Sequence, residues 1–286
     1  MNNNKNNIGV IGAGTMGNGI AHVFSLSEES KNIFLIDIDK NILNNAIINI
    51  KANLSRQRKK EFINQEQMNL ALSKIHCSTK IEEFKNCDIV IEAVKEDLSI
   101  KKSIFSKIGQ ICNQNTIFAS NTSSISITEI SKALKYPENM IGMHFMNPVP
   151  IMKLVEIIKG KQTSDNILIR TLDYVKSINK IAVECNDSPG FVSNRILMPM
   201  INEAAYALME GVAEPESIDK IMKLGMGHPM GPLKLADLIG IDVCVYIMGV
   251  LYEGFKNEKY KPCPMLLEMV NNNELGVKSK KGFYIY

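Results

Sequence analysis

Little in this chain points to a nucleic acid, a metal or a membrane. Thirty-three Lys and Arg stand against 30 Asp and Glu, and the net charge of +3 is too small to attract a polyanion by bulk charge. The six cysteines (Cys77, Cys87, Cys112, Cys185, Cys244 and Cys263) show no CxxC spacing, and no Cys/His group has the spacing of zinc ligands. They read as reduced structural thiols in a reducing compartment. A bilayer span takes about 20 mainly apolar residues. The longest apolar stretch, residues 235–252, is interrupted by Asp237 and Asp242 and is expected to be a buried or subunit-interface helix. Residues 1–7 are polar and Asn-rich, with neither the apolar centre of a signal peptide nor the Arg-rich pattern of a transit peptide. The expectation is a cytoplasmic protein without metal, nucleic acid or membrane as partner.

What the chain does have is ordinary globular composition, 45% hydrophobic and 22% charged, over 286 residues. At roughly 150 residues per domain, that length suits two domains. Short apolar runs at 8–11, 33–36, 88–91, 116–119 and 140–145 read as strands, with a further pair at 153–158 and 181–183. They alternate with helical patterns after residue 12, over 41–72 and over 99–111, which implies an α/β domain with a mainly parallel sheet. Asp187-Ser188-Pro189-Gly190 is a turn signal. After it the patterns are helical, notably over 194–209 and 216–224. The expected architecture is a dinucleotide-binding α/β domain over 1–186, then an all-α domain over 187–286.

Residues 12–17, Gly-Ala-Gly-Thr-Met-Gly, form a GxGxxG motif between a strand and a helix. In that setting Gly12 allows the tight turn, Gly14 lets the backbone approach a pyrophosphate, and Gly17 permits close helix–strand packing. The helix start then offers N–H groups to the phosphates. Asp37 ends the second strand, 20 residues after Gly17. An acid there accepts hydrogen bonds from ribose hydroxyls and repels a 2′-phosphate, which favours NAD over NADP. The motif alone leaves FAD open.

His144 follows an apolar strand, Pro148 and Pro150 force a turn, and Glu156 lies inside the next apolar run. A buried lone carboxylate needs a partner, and His144 is within reach of a strand–turn–strand path. A carboxylate-supported imidazole can exchange a proton with an alcohol while hydride leaves carbon. Spacing alone leaves open a core histidine with Glu156 on a solvent face. Ser120-Asn121-Thr122-Ser123-Ser124 follows a strand at the end where α/β sheets bind ligands, although a helix cap explains it equally. Asn194, at the start of the helical domain, is either a donor to a substrate carbonyl or a cap. The stretch 51–60 carries five basic residues, including Lys51 and Arg56; it suits the phosphates of coenzyme A or a solvated helix face.

Taken together, the sequence resembles the 3-hydroxyacyl-CoA dehydrogenase family over nearly its whole length. The likeness rests on IGAGTMG at 11–17, ASNTSS at 119–124, GMHFMNPVPIMKLVEII at 142–158, SPGFVSNRIL at 188–197, HPMGPL at 228–233 and KKGFY at 280–284. It implies a Rossmann-like domain followed by an all-α C-terminal dimerisation domain, NAD as cofactor, an acyl-CoA substrate and a homodimer. It implies His144 as general acid/base and Glu156 as its support, with Ser123 and Asn194 as substrate-binding catalytic residues. Gly12, Ala13, Gly14, Thr15, Met16, Gly17 and Asp37 are implied to bind NAD, together with Glu96, Lys101, Asn121 and Asn147, the last also supporting the active-site turn. Lys51 and Arg56 fall where the family places basic residues for coenzyme A. Met146 and the basic run 278–281 depart from the family pattern, as do residues 95–98 around Glu96. A dehydrogenase of another hydroxy acid and a catalytically idle dinucleotide-binding protein are the competing readings.

Overall fold

The computed structural model describes residues 6–286. The expectations for residues 1–5 lie outside that range. The chain divides into two compact units, one ending at Asp187 and the other running from Ser188 to Tyr286. Asp187 belongs to the first unit for a physical reason: its carboxylate accepts from the Ser126 hydroxyl at 2.7 Å and from the Thr128 N–H at 2.8 Å.

The first unit is built on β1 (Asn6–Ile11), α1 (Thr15–Leu26), β2 (Ser30–Ile36), α2 (Lys40–Lys59), α3 (Gln65–Ser73), β3 (Ile75–Ser78), β4 (Ile89–Glu92), α4 (Leu98–Ile111), β5 (Ile117–Ser120), α5 (Ile127–Ser131), β6 (Met140–Phe145), β7 (Leu154–Lys159), α6 (Asp165–Ser177) and β8 (Ile181–Asn186). The strands form one sheet in the order β3-β2-β1-β4-β5-β6-β7-β8. Every neighbouring pair is parallel except β6 and β7, which are antiparallel. Strand order reverses beside β1, and a crevice for a ligand opens there at the carboxyl ends of the strands. Alternation sorts the side chains. Ile8, Val10, Ile89, Ile91, Met143 and Phe145 join the core that includes Ile20 and Phe24 of α1. The intervening residues face the other way, where Phe105 of α4 meets Phe118 of β5 edge-to-face at 6.3 Å.

Two helical expectations need correction. The pattern over 41–72 is two helices: Glu61 adopts φ +60°, and Asn64 restarts the chain with a reciprocal cap to Gln67. The apolar stretch 235–252 is also two helices, α9 (Pro232–Ile239) and α10 (Ile241–Phe255), bent by 97° at Gly240, whose φ of +104° is open to glycine. Among the described residues no single helix is long and apolar enough to cross a membrane.

The second unit opens with α7 (Ser193–Met209) and α8 (Pro215–Met226), continues through α9 and α10, and ends with α11 (Pro264–Asn271) and a coiled C-terminal segment. Its core joins Met198 and Ile201 of α7 to Cys244, Met248 and Leu251 of α10 and Leu266 of α11. The six cysteines are all free thiols.

Candidate active site

The turn after β1 uses its three glycines for three different reasons. Gly12 has φ +93°, and a Cβ on it would come 2.6 Å from the Ala93 carbonyl oxygen beyond β4. A Cβ on Gly17 would overlap the carbonyl oxygen of Gly12. Among the described residues nothing lies within 4 Å of where a Cβ on Gly14 would stand. The start of α1 has no side-chain cap and no acid in its first turn, so its N–H groups and dipole are suited to an anion entering that space. Ala13 is buried and gives its N–H to Asp37 Oδ2 at 2.8 Å; Met16 packs on the core, and Thr15 is exposed. Asp37 thereby braces the turn and remains partly exposed at its rim. It lines a mostly apolar cleft of about 670 Å³ with Gly12, Gly14, Ile38, Ile104 and Lys107. An acid at the mouth, apolar walls and an uncapped helix start fit the adenosine and pyrophosphate of NAD.

The antiparallel pairing of β6 and β7 puts His144 directly opposite Glu156. The Nδ1 atom of His144 lies 2.9 Å from Glu156 Oε2, and both residues are buried. That hydrogen bond fixes the ring orientation and supports a charge on the imidazole. The connecting turn opens with a cis Asn147–Pro148 peptide and leaves Asn147 exposed. Lys180 secures the turn by donating to the carbonyls of Val149 and Met152, each at 2.6 Å. Gly19 of α1 lets Val149 approach so closely that a Cβ there would come 2.8 Å from it. The histidine hairpin is thus seated on the nucleotide helix. Asn121 braces it from β5, accepting the Phe145 N–H at 2.9 Å.

Between these two regions lies a group that the sequence reading found only in part. Lys101 of α4 is 1% exposed, and its ammonium sits 2.7 Å from Glu92 Oε1 and 3.2 Å from Glu96 Oε2. Glu96 Oε1 accepts from the Thr122 hydroxyl and from the N–H groups of Ser123 and Ser124. The carboxylate thereby shapes the turn that carries Ser123. Glu92, which closes β4, accepts in addition from the Val94 N–H and the Ser120 hydroxyl. Glu92 is not among the candidates named from the sequence, and Ser120 is named there only within the run 120–124. The cue was present, since Glu92 ends an apolar run as Glu156 sits within one.

Lys51 and Arg56 are exposed on α2. Five positions on a helix turn through about 140°, so the two do not share a face. Asn194 is buried near the start of α7, with its N–H on the Gly190 carbonyl. Among the described residues no three His, Cys, Asp or Glu side chains converge on a metal position.

A crevice made for a dinucleotide, in the same unit as a carboxylate-held histidine, defines an NAD-dependent oxidoreductase acting on CH–OH groups. Comparison with known proteins gives the family: residues 7–188 match the 3-hydroxyacyl-CoA dehydrogenase NAD-binding domain, and residues 190–286 match the 3-hydroxyacyl-CoA dehydrogenase C-terminal domain. The chain belongs to the 3-hydroxyacyl-CoA dehydrogenase family. It is 46% identical over 279 residues to the 3-hydroxybutyryl-CoA dehydrogenase of Clostridioides difficile, covering 98% of this chain and 99% of that one. Its identity to the 3-hydroxybutyryl-CoA dehydrogenase of Bradyrhizobium diazoefficiens is also 46%, over 98% of this chain and 94% of that one. The crystal structure of (S)-3-hydroxybutyryl-CoA dehydrogenase from Ralstonia eutropha superposes with a TM-score of 0.95 at 44% identity, covering 98% of this chain and 99% of that one.

Proposed function

We propose that this protein catalyses the reversible, NAD-linked oxidation of (S)-3-hydroxybutyryl-CoA to acetoacetyl-CoA, with His144 and Glu156 as its acid/base pair. The observation that carries the reading is the buried 2.9 Å contact between His144 Nδ1 and Glu156. Relatives bearing the name 3-hydroxybutyryl-CoA dehydrogenase at 46% identity support the choice of substrate. With Nδ1 held by Glu156, the proton of the 3-hydroxyl passes to Nε2 in the oxidising direction and returns from it in the reducing direction. Glu156 offsets the charge that the imidazole gains. Bound NAD supplies the hydride acceptor. Ser123 and Asn194 hydrogen-bond the substrate oxygens, Asn121 and Asn147 hold the hairpin and cofactor in register, and Lys51 and Arg56 meet the coenzyme A phosphates. The working form is a cytoplasmic homodimer; α8 offers exposed Ile221 and Leu224, three positions apart on one face, for self-association.

The test follows NADH absorbance with acetoacetyl-CoA, beside NADPH, His144→Ala, Glu156→Gln and the double variant Lys51→Ala/Arg56→Ala. Turnover is expected with NADH. Loss of the acid/base is expected to lower kcat by about 10²–10⁴-fold. The basic pair acts on the Michaelis constant for the thioester and leaves kcat within about two-fold. A His144→Ala enzyme within ten-fold of wild type would remove the catalytic assignment. Absence of turnover in a protein that binds NADH would remove the substrate.

A further inference from the structure

The Glu92–Lys101–Glu96 group sets two carboxyl groups against one amine. Glu92 is wholly buried, Lys101 is 1% exposed, and Glu96 keeps 27% of its side chain exposed. Among the described residues no second cation pairs with either carboxylate. The remaining partners are neutral: the N–H groups of Val94, Ser123 and Ser124 and the hydroxyls of Ser120, Thr122 and Ser124. The second carboxylate is therefore balanced by neutral donors alone, and its open edge at Glu96, 27% exposed, can attract a cation.

The topology places the cation. Glu92 stands opposite Ile11 in the β1–β4 register, immediately before the residue on which Gly12 packs. It also stands opposite Ser120 in the β4–β5 register. Asp37 and the apolar cleft draw the adenosine half of the dinucleotide to the β2 side of the glycine turn. Its other half then extends over the ends of β4 and β5, toward His144 on β6. Only there can hydride pass between the nicotinamide and a substrate whose proton goes to the histidine. The nicotinamide ring is cationic in NAD⁺ and neutral in NADH.

We propose that Glu92 is a positioning residue that sets the preference between oxidised and reduced cofactor, the surplus charge of its group with Lys101 and Glu96 being the counter-charge of the oxidised nicotinamide. Glu92 is wholly buried and acts through Lys101 and Glu96. It holds Lys101 against itself, so that Lys101 only partly neutralises Glu96, the member of the group that keeps an exposed edge. This rests on the proposed NAD-linked reaction at His144, because that places the ring.

The test is binding rather than turnover. NADH is titrated by its fluorescence and NAD⁺ by competition, at fixed salt, with the intact protein. Glu92→Gln keeps the shape of the side chain and leaves Lys101 with one carboxylate. It is expected to weaken NAD⁺ about ten-fold, the scale of one charge acting at several ångströms through a medium of intermediate polarity, and to change NADH by less than about two-fold. Ser120→Ala removes a hydrogen bond to Glu92 without removing charge, so the ratio of the two affinities stays at the wild-type value. Lys101→Gln enlarges the surplus and moves the ratio toward NAD⁺, which keeps the test decisive if Glu92→Gln does not fold. Equal weakening of both cofactors by Glu92→Gln would make the residue a structural brace only and overturn the proposal. If Glu96→Gln shifts the ratio and Glu92→Gln does not, the proposal fails while the site reading stands. If neither shifts it and both bind as wild type does, the ring lies elsewhere and the reading beneath the proposal fails too.

Discussion

Both units bury carboxylates, and the partners they choose separate a site from a clamp. In the second unit Asp219 of α8 accepts the N–H groups of Leu233 and Lys234, each at 2.9 Å, so it caps α9 from a neighbouring helix. Asp237 of α9 accepts the N–H groups of Phe283 and Tyr284, each at 2.9 Å. The phenols of Tyr284 and Tyr286 donate to Asp219 and Asp237 respectively. Both phenol pKa values are raised, first by burial and then by these carboxylate acceptors, so the groups remain donors. The Lys234 ammonium lies over both rings, at 4.7 and 4.4 Å. Backbone N–H groups do not titrate, so these carboxylates do fixed structural work. In the first unit the partners of Glu92, Glu96 and Glu156 include an ammonium and an imidazole, groups that can exchange a charge or a proton with a ligand.

The largest stability effect is expected in the clamp. Asp237→Ala strands two backbone donors and the Tyr286 hydroxyl. These donors are half-buried or exposed, so each costs about 1 kcal/mol, the low end for a donor left unmade, and the loss is on the order of 3 kcal/mol. In a unit of about 100 residues that lowers Tm by more than about 10 °C. Thermal unfolding measures the loss, while kcat of the protein still folded is expected to stay within about two-fold of wild type. A variant that keeps its Tm and loses kcat would erase the distinction between the two kinds of buried carboxylate.

The same distinction runs through a single loop of the first unit. Gly17→Ala forces a Cβ into the Gly12 carbonyl, so the turn itself must move; a loss of about 1–3 kcal/mol is expected, together with weaker NADH binding. Gly14→Ala meets open space at φ −64°, an angle that alanine adopts freely. Its Tm is expected to stay within about 2 °C of wild type, while the methyl group fills the approach of the pyrophosphate and weakens NADH by about ten-fold. Paired melting and NADH titrations separate the two. Equal melting losses in both variants would mean that the space around Gly14 is packed in solution.

The parts of this molecule that could be read in advance are those where a local pattern carries the geometry. The strand–glycine turn–helix unit through Asp37 is contiguous. His144 and Glu156 are joined by one hairpin, so an apolar strand, two prolines and a second apolar strand bring the pairing within reach, while the register that sets them opposite one another is seen only in the fold. Glu92 and Lys101 are nine positions apart across a loop and a helix start, and nothing local announces that they meet. The bend at Gly240 was hidden because apolar residues continue on both sides of it, and helical periodicity does not record a change of axis. Asp237, which looked like an interruption of an apolar helix, is the anchor of the C-terminal segment. Its partners are 46 to 49 positions away.

His22 is a buried ionisable group of the first unit that belongs to neither kind. It lies on α1, fully buried, with Nε2 3.1 Å from Gln57 Oε1 and, among the described residues, no hydrogen-bond partner for Nδ1. Its pKa is lowered from 6.5: burial is the largest cause, the Gln57 hydrogen bond opposes it, and the charge of Lys180 adds to the lowering. The sign follows from linkage. Below about pH 6.5 the unfolded chain binds a proton that the folded ring resists, so this group costs nothing at pH 8 and destabilises the fold progressively as the pH drops toward the folded value. Carboxylates also titrate on the acid side, so the measurement is a difference: Tm of wild type minus Tm of His22→Leu, at pH 8 and at pH 5. The difference is expected to move by a few degrees in favour of the variant at pH 5, because leucine has no proton to take up. A difference that stays constant between the two pH values would mean that the ring titrates alike in the folded and unfolded chains, through water reaching the α1–α2 interface.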